Sequence, residues 1–341
     1  MASRPVVRVI PAQPHCFAFG GFEIQMLAAM DSARSAGADI SPLDFWRREA
    51  DFDLLHFWGG MTLDNSYTMK WANAGGKKIV LSALVDYPGW RSWLRYLASF
   101  ATGPARLLKP TLSVLDCITV VNEAQGRYIS NTVGFPAEKV TVVPNVVEDI
   151  FFGTGDSAKA SSVEIENYVL CVGNICRRKK QLSLIAACRK LGVPLLLVGK
   201  VLTGEEDYGR AVAEAMSGYR DARWIHWLGH GSTELASTYG HARAFALLSR
   251  TEQQPISALE AAASRKPLVL ADRPWAKQEF YQHAALADSS SVASITGAIR
   301  KVLDNPDSYC PPATVLEKCR KEKVGAAYMA IYQRLVQSGA R

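Results

Sequence analysis

Residues 224–272 read WIHWLGHGSTELASTYGHARAFALLSRTEQQPISALEAAASRKPLVLAD. Three short apolar runs stand out in this stretch, WIHWLG (224–229), AFALLS (244–249) and PLVLAD (267–272). Runs of this length without strict alternation suit strands buried on both faces of a parallel sheet. A helix is predicted from about Pro255 to Ser264, leading into the third run. Strands alternating with helices define an α/β unit. Two carboxylates, Glu252 and Glu260, flank the segment that runs from the end of a strand into that helix. Glu252 is expected at the carboxyl end of the strand, where open α/β sheets place ligands. Glu260 is expected two turns into the helix, on the same side. Spacing alone does not separate such a ligand-binding pair from one loop glutamate and one solvated helical glutamate.

The same pattern continues outward. YVLCVG (168–173) and PLLLVG (194–199) read as strands, with a basic loop and the helix QLSLIAACRKL (181–191) between them. In the first half VVRVI (6–10), DLLHFW (53–58), KKIVLSALV (77–85), DCITVV (116–121) and KVTVV (139–143) read as strands. A loop ending in Gly20-Gly21 leads into a helix from about Phe22, with Ile24, Leu27 and Ala28 on one face. The Gly/Ser/Ala-rich segment 152–163 reads as a linker. The chain has 341 residues, which at about 150 per domain suggests two domains. The expected fold class is therefore α/β, with two doubly wound Rossmann-like domains.

Composition excludes several classes. Hydrophobic residues make up 48% and charged residues 21%, ordinary for a globular enzyme and unlike disorder or coiled coil. The longest stretch without Asp, Glu, Lys or Arg is Val9 to Phe22, 14 residues. A spanning helix needs roughly 18 or more apolar residues, and no signal-peptide pattern is visible. Seven cysteines without a CxxC pair point to reduced thiols in a cytoplasmic protein. The net charge of +7 is concentrated in two windows. Residues 87–115 hold four bases and no acid, and residues 167–204 hold seven bases and no acid. The rest of the chain is mildly acidic, so the windows, not the whole surface, call for anionic partners.

Several features of 224–272 occur in a fixed order: Leu228-Gly229, Glu234-Leu235, Tyr239, Ser249, Glu252, Glu260-Ala261-Ala262 and Pro267-Leu268-Val269. In that order they resemble the donor-binding core of the retaining GT-B glycosyltransferases, glycosyltransferase family 4, with its E-x7-E motif. VTVVPNVVEDIF (140–151), YVLCVGNICRRKKQLSLIAAC (168–188), FAFGGFEIQMLAAM (17–30) and YMAIYQRL (328–335) are similar to further segments of that family. The likeness thus spans nearly the whole chain. It implies a GT-B fold, with two Rossmann-like domains facing across a cleft. The implied acceptor domain is 1–155, completed by a C-terminal helix at 318–341, and the implied donor domain is 163–317.

The resemblance also implies roles. A nucleotide-sugar donor brings a diphosphate, and without a metal its departing charge must be met by side chains. Lys179 matches the family's phosphate-loop lysine, with Lys180 beside it. Asn174 stands where the family has arginine, so Arg177 or Arg178 is the candidate replacement. Glu252 and Lys179 are the implied catalytic residues, Glu252 against the donor sugar. Glu260 would accept hydrogen bonds from the ribose hydroxyls. Gly20, Gly21, Gly173, Asn174, Arg178, Lys180, Gly229, His230, Pro255, Ile256 and Ser257 complete the implied donor contacts. Glycines let backbone N–H groups approach a diphosphate closely. His15, His56 and Asp86 are the acceptor-side candidates, because the usual acceptor-side histidine falls at Leu84. Gln254-Pro255 and Arg265 also depart from the family's usual residues. Asp51 and Asp53 form a DxD, the metal motif of another glycosyltransferase fold, but no metal is expected.

The implied activity is transfer of a hexosyl group to a glycan or lipid-linked acceptor in bacterial surface polysaccharide synthesis. A UDP-sugar is favoured over GDP-mannose, and no cofactor is expected beyond that donor. The rival readings are a non-catalytic GT-B-like nucleotide- or glycan-binding protein and a GT-B sugar-nucleotide epimerase. In the window 88–110, Trp93, Tyr96, Leu97 and Phe100 share a helical face among Arg91 and Arg95. That pattern fits a helix on an anionic membrane as well as a buried helix with a basic edge. The expected location is cytoplasmic, with peripheral contact on the inner face of the plasma membrane. No nucleic-acid-binding module is present.

Overall fold

A computed structural model describes residues 4–17, 19–60, 63–85, 94, 111–153 and 165–339. The chain forms two compact units, 1–146 with 319–341, and 147–318. The expected linker at 152–163 lies outside the described residues except for Phe152 and Gly153. Asp86 and the window 88–110, apart from Leu94, also lie outside them.

The first unit contains β1 (Val6–Ile10), α1 (Gly21–Ser35), β2 (Asp39–Pro42), β3 (Leu54–Gly59), α2 (Leu63–Ala74), β4 (Lys78–Ala83), β5 (Cys117–Val120), α3 (Glu123–Tyr128) and β6 (Val140–Val142). The second contains β7 (Val169–Val172), α4 (Gln181–Leu191), β8 (Leu195–Val198), α5 (Glu206–Ser217), β9 (Ala222–Ile225), α6 (Thr233–Gly240), β10 (Ala244–Leu247), α7 (Ile256–Ala263), β11 (Leu268–Ala271), β12 (Ala285–Ala287), α8 (Val292–Asp304) and α9 (Ala313–Leu316). The last helix, α10 (Lys321–Gly339), returns to the first unit.

Each unit is built on a six-stranded sheet, ordered β2-β1-β3-β4-β5-β6 in the first and β12-β11-β10-β7-β8-β9 in the second. Every neighbouring pair is parallel. The central strands are apolar throughout and buried from end to end, as in β8 (LLLV), β10 (AFAL) and β11 (LVLA). Helices therefore cover both faces.

The expected strands are found, most of them one residue shorter at one or both ends than their apolar runs. The run WIHWLG differs more. Its strand is Ala222–Ile225, and the chain leaves the sheet at His226. The partner strand β8 ends at Val198, which pairs with Ile225, so no ladder is left for the following residues. Strands β2 (DISP) and β12 (ALA) are additional to those expected from the sequence, because neither is a long apolar run and both lie at sheet edges.

In the first unit α1 turns Met26, Ala29, Met30 and Ala33 onto a core shared with Val324, Tyr328, Ile331, Tyr332 and Leu335 of α10. That spacing of three and four is one helical face. The two helices approach so closely that a Cβ on Gly325 would collide with the Ser32 carbonyl. Gln25 clamps the end of the unit's first stretch. Its amide donates to the Val146 carbonyl at 3.0 Å, and its carbonyl accepts from the Val146 N–H at 2.7 Å.

His56 of β3 is wholly buried beside this core, so the acceptor-side expectation for it gives way to a structural role. Its Nδ1 is 2.8 Å from the Tyr332 hydroxyl and its Nε2 is 2.8 Å from Ser82 Oγ. Ser82 Oγ is in turn 2.7 Å from Thr119 Oγ1. Burial holds the imidazole neutral by pushing its pKa down to about 3. The two carboxylates of the DxD are likewise structural. Asp53 accepts from the Val6 N–H at 2.8 Å and Asp51 pairs with Arg47 at 2.7 Å.

Candidate donor site in the second unit

In the second sheet the chain runs outward from β7 through β8 to β9, then restarts on the other side of β7 with β10. The loops after β7 and β10 therefore diverge at a topological switch point, the crevice where such sheets bind ligands. One loop is Gly173 to Lys180, and the other is Leu248 to Pro255.

The first loop is shaped around Lys179. Gly173 has φ of +138°, and an added Cβ would stand 2.6 Å from Lys179 Nζ. The ammonium thus lies directly over the glycine. Behind it, a Cβ on Gly199 would collide with the Gly173 carbonyl, which locks the ends of β7 and β8 together. A 3-10 turn over Arg177–Lys179 follows, and Lys180 adopts φ of +60° at the start of α4. Gln181 is buried and donates to the Asn174 carbonyl at 3.0 Å, fixing the loop's base.

The second loop brings Glu252 to these cations. Arg178 donates to Glu252 Oε1 at 2.8 Å, and Lys179 Nζ lies 3.4 Å from the same oxygen. The Arg250 N–H also donates to the Arg178 carbonyl at 2.9 Å, so backbone joins the two loops. Burial pushes the Glu252 carboxyl up, but Lys179 and Arg178 outweigh it, and the group is held below its ordinary range. Glu252 is ionised at neutral pH. Arg177, the other candidate replacement for the residue at 174, points elsewhere and pairs with Glu205 and Asp207.

Glu260 lies apart from that cluster. It sits within α7 and is 2% exposed. The Tyr239 hydroxyl donates to its Oε2 at 2.8 Å. Its other oxygen, Oε1, is buried without a hydrogen-bond partner among the described residues, 3.4 Å from His230 Nδ1. Burial raises this carboxyl to about 7, and Glu148 adds to the rise while Tyr239 opposes it. Burial also pushes the His230 imidazole down, so it stays neutral at physiological pH. An orphaned acceptor in the interior is costly, and a hydroxyl-bearing ligand would satisfy it.

The remaining expected residues divide. Gly229 and His230 occupy the loop after β9 that reaches Glu260. Pro255 precedes α7 and accepts from the Tyr281 hydroxyl at 3.3 Å, and the Ser257 carbonyl accepts from Tyr239 at 3.2 Å. Ile256 opens that helix. Lys180 has no described contact with Glu252. In the first unit, the Gly20 N–H donates to Glu23 Oε2 at 2.8 Å, so it is already engaged, and Gly21 is the first residue of α1. His15 Nε2 is buried without a hydrogen-bond partner among the described residues, with its ring edge-on to Phe19 at 5.4 Å.

Three contacts of the candidate site are not legible in the sequence. The Tyr239 motif residue is the partner of Glu260, Gly173 is the seat of Lys179, and Arg178 is the cation nearest Glu252. A glycine directly after each of two neighbouring strands was the available signal for the second. Among the described residues no group of three or more His, Cys, Asp or Glu side chains is placed to hold a metal.

Gly173→Ala is expected to displace Lys179 and to lower activity at least tenfold with the secondary structure unchanged, since the methyl would occupy the ammonium's place. Circular dichroism together with a transfer assay checks this. Full activity in the variant would show that the ammonium's seat is not needed.

The chain has two parallel, doubly wound α/β units, the architecture of the GT-B fold. Residues 155–318 match the family described as "Glycosyl transferases group 1". That match covers a little under half of the chain. No curated protein matches the chain. Among solved structures, sucrose-phosphate synthase from Thermosynechococcus elongatus is similar with TM-score 0.69 and 17% identity, over 98% of both chains. HepE (Alr3699) of Anabaena, solved with UDP and glucose, has TM-score 0.68 and 12% identity, over 96% of this chain and 99% of that one. A UDP-forming α,α-trehalose-phosphate synthase from Burkholderia xenovorans has TM-score 0.64 and 13% identity, over 95% and 79%. At such identities the likeness concerns the fold.

Proposed function

We propose that the chain is a retaining, metal-independent glycosyltransferase that moves a hexosyl group from a nucleotide sugar to an acceptor hydroxyl. The observation that carries this is the convergence of Lys179, Arg178 and Glu252 at the switch point. The two cations would stabilise the departing diphosphate, the term that a preorganised site supplies best. Glu252 would accept the donor sugar's hydroxyls, and Glu260 Oε1 the ribose hydroxyls. Gly173, Asn174, Gly229, His230 and the start of α7 would line the nucleotide.

A UDP-sugar is favoured over GDP-mannose. HepE in complex with UDP and the UDP-forming synthase, both of this fold, support that choice. The acceptor is a glycan or lipid-linked hydroxyl of a bacterial surface polysaccharide, and the location is cytoplasmic. Peripheral membrane contact through 88–110 belongs to this proposal. No described helix is long and apolar enough to cross a membrane.

The test is a thermal-shift screen with UDP, GDP, UDP-hexoses and GDP-mannose, followed by product analysis. Ligand binding to the folded state raises the unfolding temperature. Stabilisation by UDP-sugars with acceptor-dependent transfer and retained configuration is the expected result. Binding without turnover would support the binding protein instead, and isomerised sugar nucleotide without an acceptor would support the epimerase.

A further inference from the structure

The carboxylate proposed to read the donor sugar is held by the same cations proposed to hold the diphosphate. Both Arg178 and Lys179 reach Glu252 Oε1, at 2.8 Å and 3.4 Å. Lys179 and Glu252 are both mostly buried, with side chains 10% and 13% exposed. Two positive charges and one negative leave a single excess charge at the switch point. A diphosphate entering this site meets cations that are already partly neutralised.

We infer that Glu252 acts as a built-in competitor for the diphosphate, so that the site favours a nucleotide sugar over the nucleoside diphosphate left after transfer. This rests on the proposed donor site and deepens it. A diphosphate that takes Lys179 and Arg178 draws them away from Glu252. A mostly buried carboxylate that loses its ion pairs is destabilised unless other donors replace them. The hydroxyls of a donor sugar are such donors, and a nucleoside diphosphate has none to offer at that position. The sugar therefore restores what the diphosphate disrupts. Once the sugar has been transferred, Glu252 returns to the cations and weakens the hold on the product. No covalent step or proton transfer is required, only an exchange of hydrogen-bond partners.

The experiment compares wild type with Glu252→Gln and Glu252→Ala by isothermal titration with inorganic pyrophosphate, UDP and UDP-glucose. Both variants remove the competing charge, and the glutamine keeps the side chain's shape. The expected result is about fivefold tighter binding of pyrophosphate and UDP by both variants, the scale of one partly exposed ion pair. The gain in affinity from UDP to UDP-glucose should shrink toward none. Unchanged or weaker pyrophosphate and UDP binding in the two variants, with wild type binding normally, would overturn the competitor role and leave the donor site standing. Wild type that binds none of the three would overturn the donor site itself.

Discussion

Lys179→Ala is expected to lower kcat by about two to three orders of magnitude, the cost of removing one preorganised charge from a developing anion. The size follows from where the ammonium sits. It is 10% exposed, lies over Gly173 where a Cβ would be only 2.6 Å away, and is 3.4 Å from Glu252. Such a group needs no reorganisation when charge appears on the leaving diphosphate, and little water competes for it. The fold should survive, because Arg178 still neutralises Glu252 at 2.8 Å and the loop keeps its backbone bonds to β8 and to Arg250. The loss should fall mainly on kcat. In the donor-bound ground state the diphosphate's charge is only part of what it becomes at the transition state. Steady-state transfer kinetics, with a thermal melt to confirm folding, checks this. A kcat within threefold of wild type in a folded variant would remove Lys179 from the catalytic role.

Much of this was legible in the sequence for a physical reason. Parallel strands buried on both faces leave continuous apolar runs, and the short, bounded runs around LLLV, AFAL and LVLA fit strands better than helices. The edge strands were not legible. β2 contains Asp39 and Pro42, and β12 has three residues, so neither carries enough pattern to be seen. Placement of the candidate site follows from the switch-point rule once strand order is known, but order is a tertiary property. The Glu pair illustrates the limit. Spacing put both carboxylates on one segment, yet they occupy opposite electrostatic situations. Glu252 is ionised between two cations, while Glu260 is enclosed with a tyrosine and a neutral histidine. Those environments come from Lys179, 73 positions before Glu252, and from Tyr239 and His230, which no periodicity relates to Glu260. His56 shows the same limit from the other side. Its strand position resembles that of a site residue, and only the packing of Tyr332 and Ser82 around it reveals a core histidine.

Donor binding should strengthen with rising pH up to about pH 7 and then level off, because of Glu260. Burial raises its folded-state pKa from the ordinary 4.5 to about 7, so the free protein holds a proton there in mildly acidic solution. The groups facing it are Tyr239, which stays protonated, His230, whose imidazole burial pushes down, and Glu148, whose charge favours the protonated form. Ribose hydroxyls donate to a carboxylate and so favour the ionised form. Binding then expels the proton, and below pH 7 affinity should fall by up to about tenfold per pH unit. The same shift acts on stability with the opposite slope. The folded state binds the proton more tightly than the unfolded chain, so this group's contribution is fully present below the ordinary carboxylate range. It is lost as pH rises toward 7. UDP-glucose is the suitable ligand, because its diphosphate does not titrate in this interval, whereas the terminal phosphate of UDP does. Titration calorimetry at pH 6 in two buffers of different ionisation heat should show close to one proton released, and at pH 8 almost none. Glu260→Gln removes the ionisation. Its affinity should therefore be independent of pH and, at pH 8, about tenfold weaker than wild type, the cost of replacing a charged acceptor by a neutral one. Unfolding measurements on the unliganded variant should show less loss of stability than wild type between pH 5 and 7. If wild-type affinity for UDP-glucose does not change between pH 5.5 and 8, Glu260 does not receive the ribose.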